Sequence, residues 1–129
     1  MKALSRRIIS AIIIIAAMSF LGCSITFIVS KFSPPSWILG SWTDASAKTS
    51  FVFTSSDIIL SSSGITSYYS QTYVDSTVTD EATLIQYKIT VTEADDTEIY
   101  RFDMVTSEIL NYYVTLNDKT TGPKVLYKH

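Results

Sequence analysis

The chain carries two hydrophobic patterns that do not mix. From residue 8 to residue 30 every position is uncharged and most are aliphatic or small, with no period. From residue 37 onward, apolar residues recur at every second position between Thr, Ser, Lys and acids. The first pattern suits a segment surrounded by lipid hydrocarbon. The second suits strands with one face on a core and one in water.

The clearest strand covers residues 84–92. Ile85, Tyr87, Ile89 and Val91 share one face, and Gln86, Lys88 and Thr90 the other. After a hairpin turn at 94–96, Tyr100, Phe102 and Met104 oppose Ile99, Arg101 and Asp103. Leu110, Tyr112, Val114 and Leu116 form the apolar face of the next strand. Upstream, Phe51 and Phe53 alternate with Val52 and Thr54, and Ile58 and Leu60 follow a turn at 55–57. Residues 65–74 alternate weakly and are rich in Ser and Tyr, while 124–128 make a short last strand. Residues 61–64, 79–82 and 117–122 read as turns. The expectation is an all-β domain, a small antiparallel meander barrel of about eight strands. Closure would remove the unpaired sheet edges. No helix is predicted between these strands; an apolar signal or anchor helix precedes them.

Lys2, Arg6 and Arg7 stand before the apolar run, which is the layout of an export signal. The run contains Phe20-Leu21-Gly22-Cys23. That phrase resembles the lipobox of bacterial lipoproteins, in which the Cys is acylated (with palmitate, for example) and becomes the mature N-terminus. The resemblance implies a signal peptide at 1–22, lipidation at Cys23 and a tether at 23–36. Pro34 and Pro35 make the end of that tether extended. An uncleaved transmembrane helix is the alternative. Residues 8–30 reach about 35 Å at ~1.5 Å per residue, enough for about 30 Å of hydrocarbon, and Cys23 is then an ordinary small residue within it. A soluble secreted protein is the remaining possibility. Both leading readings keep the N-terminal cations in the cytoplasm. The domain at 37–129 then lies in the cell envelope on the extracytoplasmic side, with the outer membrane as one possible address.

Charge sharpens this picture. All 12 acids follow Cys23, with seven of the ten Lys and Arg, a net charge of −5 for that part. An acidic domain argues against a nucleic-acid partner. Cys23 is the only cysteine, so no disulfide forms within the chain and no Cys-cluster zinc site exists.

The domain opens on Trp37-Ile38-Leu39-Gly40-Ser41-Trp42. Gly40-Ser41-Trp42 at the first strand of an all-β domain resembles the Gly-x-Trp signature of lipocalins and related calycins. The resemblance implies that Trp42 plugs one end of a barrel, with Lys124 or Lys128 packed across its ring. Residues 49–54 with Asp57 resemble the second strand of lipocalin-like lipoprotein domains. Trp42 as an ordinary core aromatic beside a turn glycine is the bland reading.

Catalytic chemistry finds little support. The only His is the terminal His129, and no nucleophile elbow or phosphate loop is present. Asp80-Glu81 and the group Glu93, Asp95, Asp96 and Glu98 fall on expected turns, where Asp is favoured for geometry and solvation. No metal site, cofactor or enzyme is expected. Tyr68, Tyr69 and Tyr73 form a candidate ligand or partner surface, since Tyr offers apolar area and a hydroxyl together. Adjacent Tyr68 and Tyr69 must point to opposite faces of a strand. The leading expectation is a non-catalytic binding domain for a small apolar ligand. The alternative is an interaction or inhibitor module for an envelope protein. It is similar in size and location to barrel lipoproteins that inhibit lysozyme, though those usually carry disulfides.

Overall fold

The computed structural model describes residues 31–129. The residues expected to form a signal or anchor, Cys23 among them, lie outside the described residues. Nine strands follow one another: β1 (Gly40–Asp44), β2 (Thr49–Phe53), β3 (Ile58–Ser62), β4 (Ile65–Tyr68), β5 (Thr77–Ala82), β6 (Gln86–Glu93), β7 (Asp96–Thr106), β8 (Ile109–Leu116) and β9 (Lys119–Lys128). A 3-10 turn at Ser36–Ile38 precedes β1, and a one-turn helix, α1 (Tyr69–Thr72), separates β4 from β5.

All nine belong to one sheet of order β4-β3-β2-β1-β9-β8-β7-β6-β5. The last strand returns to pair with the first, Trp42 opposite Lys128. The sheet curls into a half-barrel. The expected closed barrel of about eight strands is therefore corrected to nine strands and an open seam. Every neighbouring pair is antiparallel. Nine strands in that pattern leave the two edges, β4 and β5, pointing the same way. Two such edges cannot join in an antiparallel ladder, because its hydrogen bonds require opposed directions. The chain must also travel back from the end of β4 to the start of β5, and α1 with residues 73–76 makes that return.

Residues 31–36, the described end of the segment expected as a tether, pack against the sheet. Phe32 is fully buried, its ring edge-on to Tyr69 with centroids 6.0 Å apart. Lys31 Nζ donates to the carbonyls of Tyr73, Val74 and Ser76 at 3.1, 2.7 and 2.7 Å. Ser33 N donates to Asp80 Oδ2, and Trp37 Nε1 to the Thr83 carbonyl. Residues 31–37 thus run along β5 as a strap. Among the described residues, the chain is therefore already docked on the sheet ahead of Trp37.

Aromatic rings fill the interior. Phe102 of β7 packs on Phe51, Phe53 and Tyr112 with centroids 4.9–5.2 Å apart, and on Tyr87 at 6.5 Å. Ile38, Trp42, Ile58, Ile89, Leu110 and Leu126 are fully buried or nearly so around them. The alternation expected over β6 and β7 puts Tyr87, Ile89, Val91 and Phe102 inward. Ile85 departs from it and is 63 % exposed. The Thr83 hydroxyl accepts from the N–H of Ile85 and Gln86, so the chain is still turning there and the strand starts at Gln86. Residues 79–82, expected as a turn, lie in β5.

Two glycines carry conformational demands. Gly40 has φ +116° and Gly122 has φ +117°, where side chains are strained. Gly122 sits where the β8–β9 register shifts, and a Cβ there would lie 2.7 Å from the Tyr112 carbonyl oxygen. Gly122→Ala is expected to cost about 1–3 kcal/mol, through crowding and strain. The thermal midpoint would fall by about 4–8 °C per kcal/mol in a domain of this size.

Candidate functional site

Two places gather the residues that sequence singled out. The first is the end of the half-barrel where β1 begins. Gly40 turns the chain with its positive φ, and Trp42 is 1 % exposed with its indole N–H donating to the Ile38 carbonyl at 2.8 Å. Lys128 Nζ stands 5.3 Å from the Trp42 ring centroid. Of the two candidate cations, Lys128 is the one on the indole. Lys124 instead reaches Thr49 Oγ1 at 3.3 Å and Asp44 Oδ2 at 4.0 Å. A cation over an indole face is worth about 0.5–1 kcal/mol at a site open to water. Lys128→Ala should expose the ring and lower stability by that amount, read by tryptophan emission during urea unfolding.

The second place is the seam between β4 and β5. Tyr68, Tyr69 and Tyr73 do not lie on one strand, because β4 ends at Tyr68 and α1 begins at Tyr69. Tyr68 ends β4 and is 44 % exposed. Tyr69 opens α1 and is buried, and Tyr73 follows α1 and is also buried. The helical turn separates them. It is held at its start by Asp57, whose carboxylate accepts from the N–H and hydroxyl of Ser70 at 3.0 and 2.6 Å. An acid near a helix N-terminus satisfies a donor that the helix leaves unpaired.

Tyr69 and Tyr73 meet Tyr100 of β7, with ring centroids 5.3–6.1 Å apart. The Tyr73 and Tyr100 hydroxyls lie 2.6 Å apart, and both donate to Glu98 Oε2, at 3.1 and 2.7 Å. Tyr112 adjoins Tyr69, whose buried hydroxyl has no partner at hydrogen-bonding geometry. Phe32 of the strap covers Tyr69. Tyr112 is one of the tyrosines whose chemistry suits a contact surface, whereas Glu98 and Tyr100 are not site candidates on sequence grounds. The available signal was an acid two residues before Tyr100, on the same inward face of β7.

The chemistry of this cluster is that of neutral phenols. Burial first, then neighbouring phenols and carboxylates, raises the pKa of Tyr69 and Tyr100; burial also raises Tyr112 and, with the Asp80 hydrogen bond, Tyr87. Tyr87 donates to Asp80 Oδ2 at 2.8 Å. Folded-state values above the unfolded ~10 mean that the native state keeps protons which the unfolded state releases. This contribution is complete below about pH 10 and is lost progressively as pH rises above it. Unfolding midpoints should therefore fall steeply above about pH 10, and the fall should be shallower in Tyr87→Phe. At Lys31, burial lowers the ammonium pKa, with Asp75 opposing.

The remaining acids make local contacts. Glu81 pairs with Lys88 at 3.5 Å, and Asp80 bridges the strap to β6. Among the described residues, no three His, Cys, Asp or Glu side chains gather as metal ligands would. No known protein family, curated protein or solved structure matches the chain.

Proposed function

We propose that the protein is a membrane-anchored, extracytoplasmic, lipocalin-like domain that binds rather than catalyses, and that it acts through its outer surface. The observation that carries this reading is the filled interior. Phe51, Phe53, Tyr87, Phe102 and Tyr112 occupy the half-barrel, and Phe32 with the seam tyrosines occupies its open side. Small barrels hold either packed side chains or one ligand, and the packed case favours an interaction module of the envelope. Gly40 with its positive φ, buried Trp42, Lys128 over the indole and β9 beside β1 support the lipocalin resemblance. The odd strand number and open seam are departures from it.

The anchor reading rests on the cations, the apolar run and Cys23. If Cys23 is acylated, only residues 24–30 separate the lipid from docked Lys31, a reach of at most about 29 Å at ~3.6 Å per residue. A short leash keeps the domain close to its membrane. A second reading, a small apolar ligand in the seam, is favoured by the Tyr69 hydroxyl, which is buried beside Tyr112 without a well-formed hydrogen bond; such a ligand would displace Phe32 and bring one polar atom.

Affinity capture of the full chain from solubilised membranes separates these readings. The surface-acting reading expects a stoichiometric protein and no retained small molecule. A retained small molecule, lost in Tyr69→Phe, would replace it with the seam-ligand reading.

A further inference from the structure

The two edges of the sheet are not treated alike. β5 carries Asp80 and Glu81; the strap bonds the Asp80 carboxylate through Ser33 N, and Trp37 bonds the Thr83 carbonyl just past the end of β5. Charges and covering segments are how sheets protect an edge. β4 has neither charge nor Pro. From residue 58 to residue 74, through β3, β4 and α1, there is no Asp, Glu, Lys, Arg or Pro. Among the described residues β4 pairs only with β3, so its other side offers backbone groups that no described strand pairs. Ile65 is 70 % exposed and Tyr68 44 % exposed on it. On the outer face, Val52, Ile59 and Tyr68 lie opposite one another in register, an apolar row that runs from β2 to this edge.

We propose that the free edge of β4 is a self-association edge. Two copies pair β4 to β4, antiparallel about a two-fold axis normal to the sheet, and join two nine-stranded sheets into one. A second copy fits this edge because of charge. The part of the chain after Cys23 carries −5, so most contacts between copies bring like charges together. The uncharged stretch is where two copies meet without that repulsion. The same edge supplies donors and acceptors to itself, as an isologous contact requires. The guarded β5 edge stops growth at two.

Four residues per strand bury less than the ~800 Å² per partner of a stable interface. Pairing therefore depends on confinement of both copies at one membrane, which raises their effective concentration. In this the inference rests on the anchored, surface-acting reading.

In an antiparallel two-fold pair, one residue faces its own copy. Thr66→Cys and Ser67→Cys, each in the full chain in its native membrane, test under mild oxidation the two central registers, which pair the most of β4. Wild type, carrying Cys23 alone, sets the baseline, and Thr79→Cys on β5 is the control. The expected result is a disulfide-linked dimer from one of the two β4 variants, nothing larger, and its loss when Ile65→Lys is added. Ile65 is exposed, and circular dichroism verifies that this chain still folds. No dimer above baseline, equal dimer from Thr79→Cys, or a ladder of larger species would overturn the proposal. A captured foreign protein without a β4 dimer would remove self-pairing and leave the surface-acting reading intact. Absence of both would remove both.

Discussion

Phe102→Ala lowers the stability of the domain by about 3–5 kcal/mol, the range for deleting a buried aromatic ring. Phe102 is fully buried and touches four rings from β2, β6 and β8. Its loss removes transfer energy and edge-to-face contacts at once, and leaves a void that strands on both sides cannot close. A domain of this size holds only about 5–15 kcal/mol in total, so the variant is near the limit of folding. Urea unfolding measures the loss, since its free energy is linear in denaturant. A loss below about 1 kcal/mol would mean that the ring has room to spare and that the interior is a ligand space, not a packed core.

Removal of the strap has an effect of similar size. Phe32→Ala is expected to cost about 3–5 kcal/mol, by the same burial argument. A chain starting at Trp37 should lose more than a chain starting at Lys31 carrying that substitution. It also leaves the carbonyls of Tyr73, Val74 and Ser76 without the Lys31 ammonium. The Tyr73 carbonyl keeps the Ser76 N–H, but those of Val74 and Ser76 lose this donor, and a buried acceptor left unmade costs about 1–3 kcal/mol. Equal stability of chains starting at Lys31 and at Trp37 would refute the strap as a structural element.

The sequence makes most strands legible because their alternation is clean. Tyr87, Ile89 and Val91 in β6, and Tyr100 and Phe102 in β7, repeat every second residue and all face the interior. The hairpin at 94–96 is legible from its Asp pair, and Ala94 takes the positive φ that this turn needs. The strap is not legible. Phe32 stands alone between Lys31 and the Pro pair, and a single aromatic has no period. Only its contact with Tyr69, far along the chain, marks it as core. β5 reads as a turn because Asp80 and Glu81 depress strand propensity. Tertiary partners override that preference: Tyr87 and Ser33 bond Asp80, and Lys88 pairs with Glu81. The one-turn α1 is too short for a helical period, and its tyrosines read as strand residues. Asp57, which holds Ser70, is its strongest determinant and lies outside it.

The candidate site divides in the same way. Gly40, Trp42 and a late Lys are a local phrase and a terminal residue, and the structure brings them together. The seam cluster draws on β7, β8, α1 and the strap, and only the topology assembles it. Glu98 looks like a turn acid because neighbours at 93, 95 and 96 surround it. Its position in register with Tyr100 and Phe102 is what turns it inward.

The most direct measurement is the mass of the membrane-extracted protein, taken once under native conditions and once denatured. The account predicts a chain that begins at Cys23, carries acyl chains and holds no additional small molecule in the native spectrum. A full-length, unacylated chain would contradict the lipid anchor and make the apolar run a membrane-spanning segment. A mature chain with a retained small molecule would contradict the packed interior and return function to the seam.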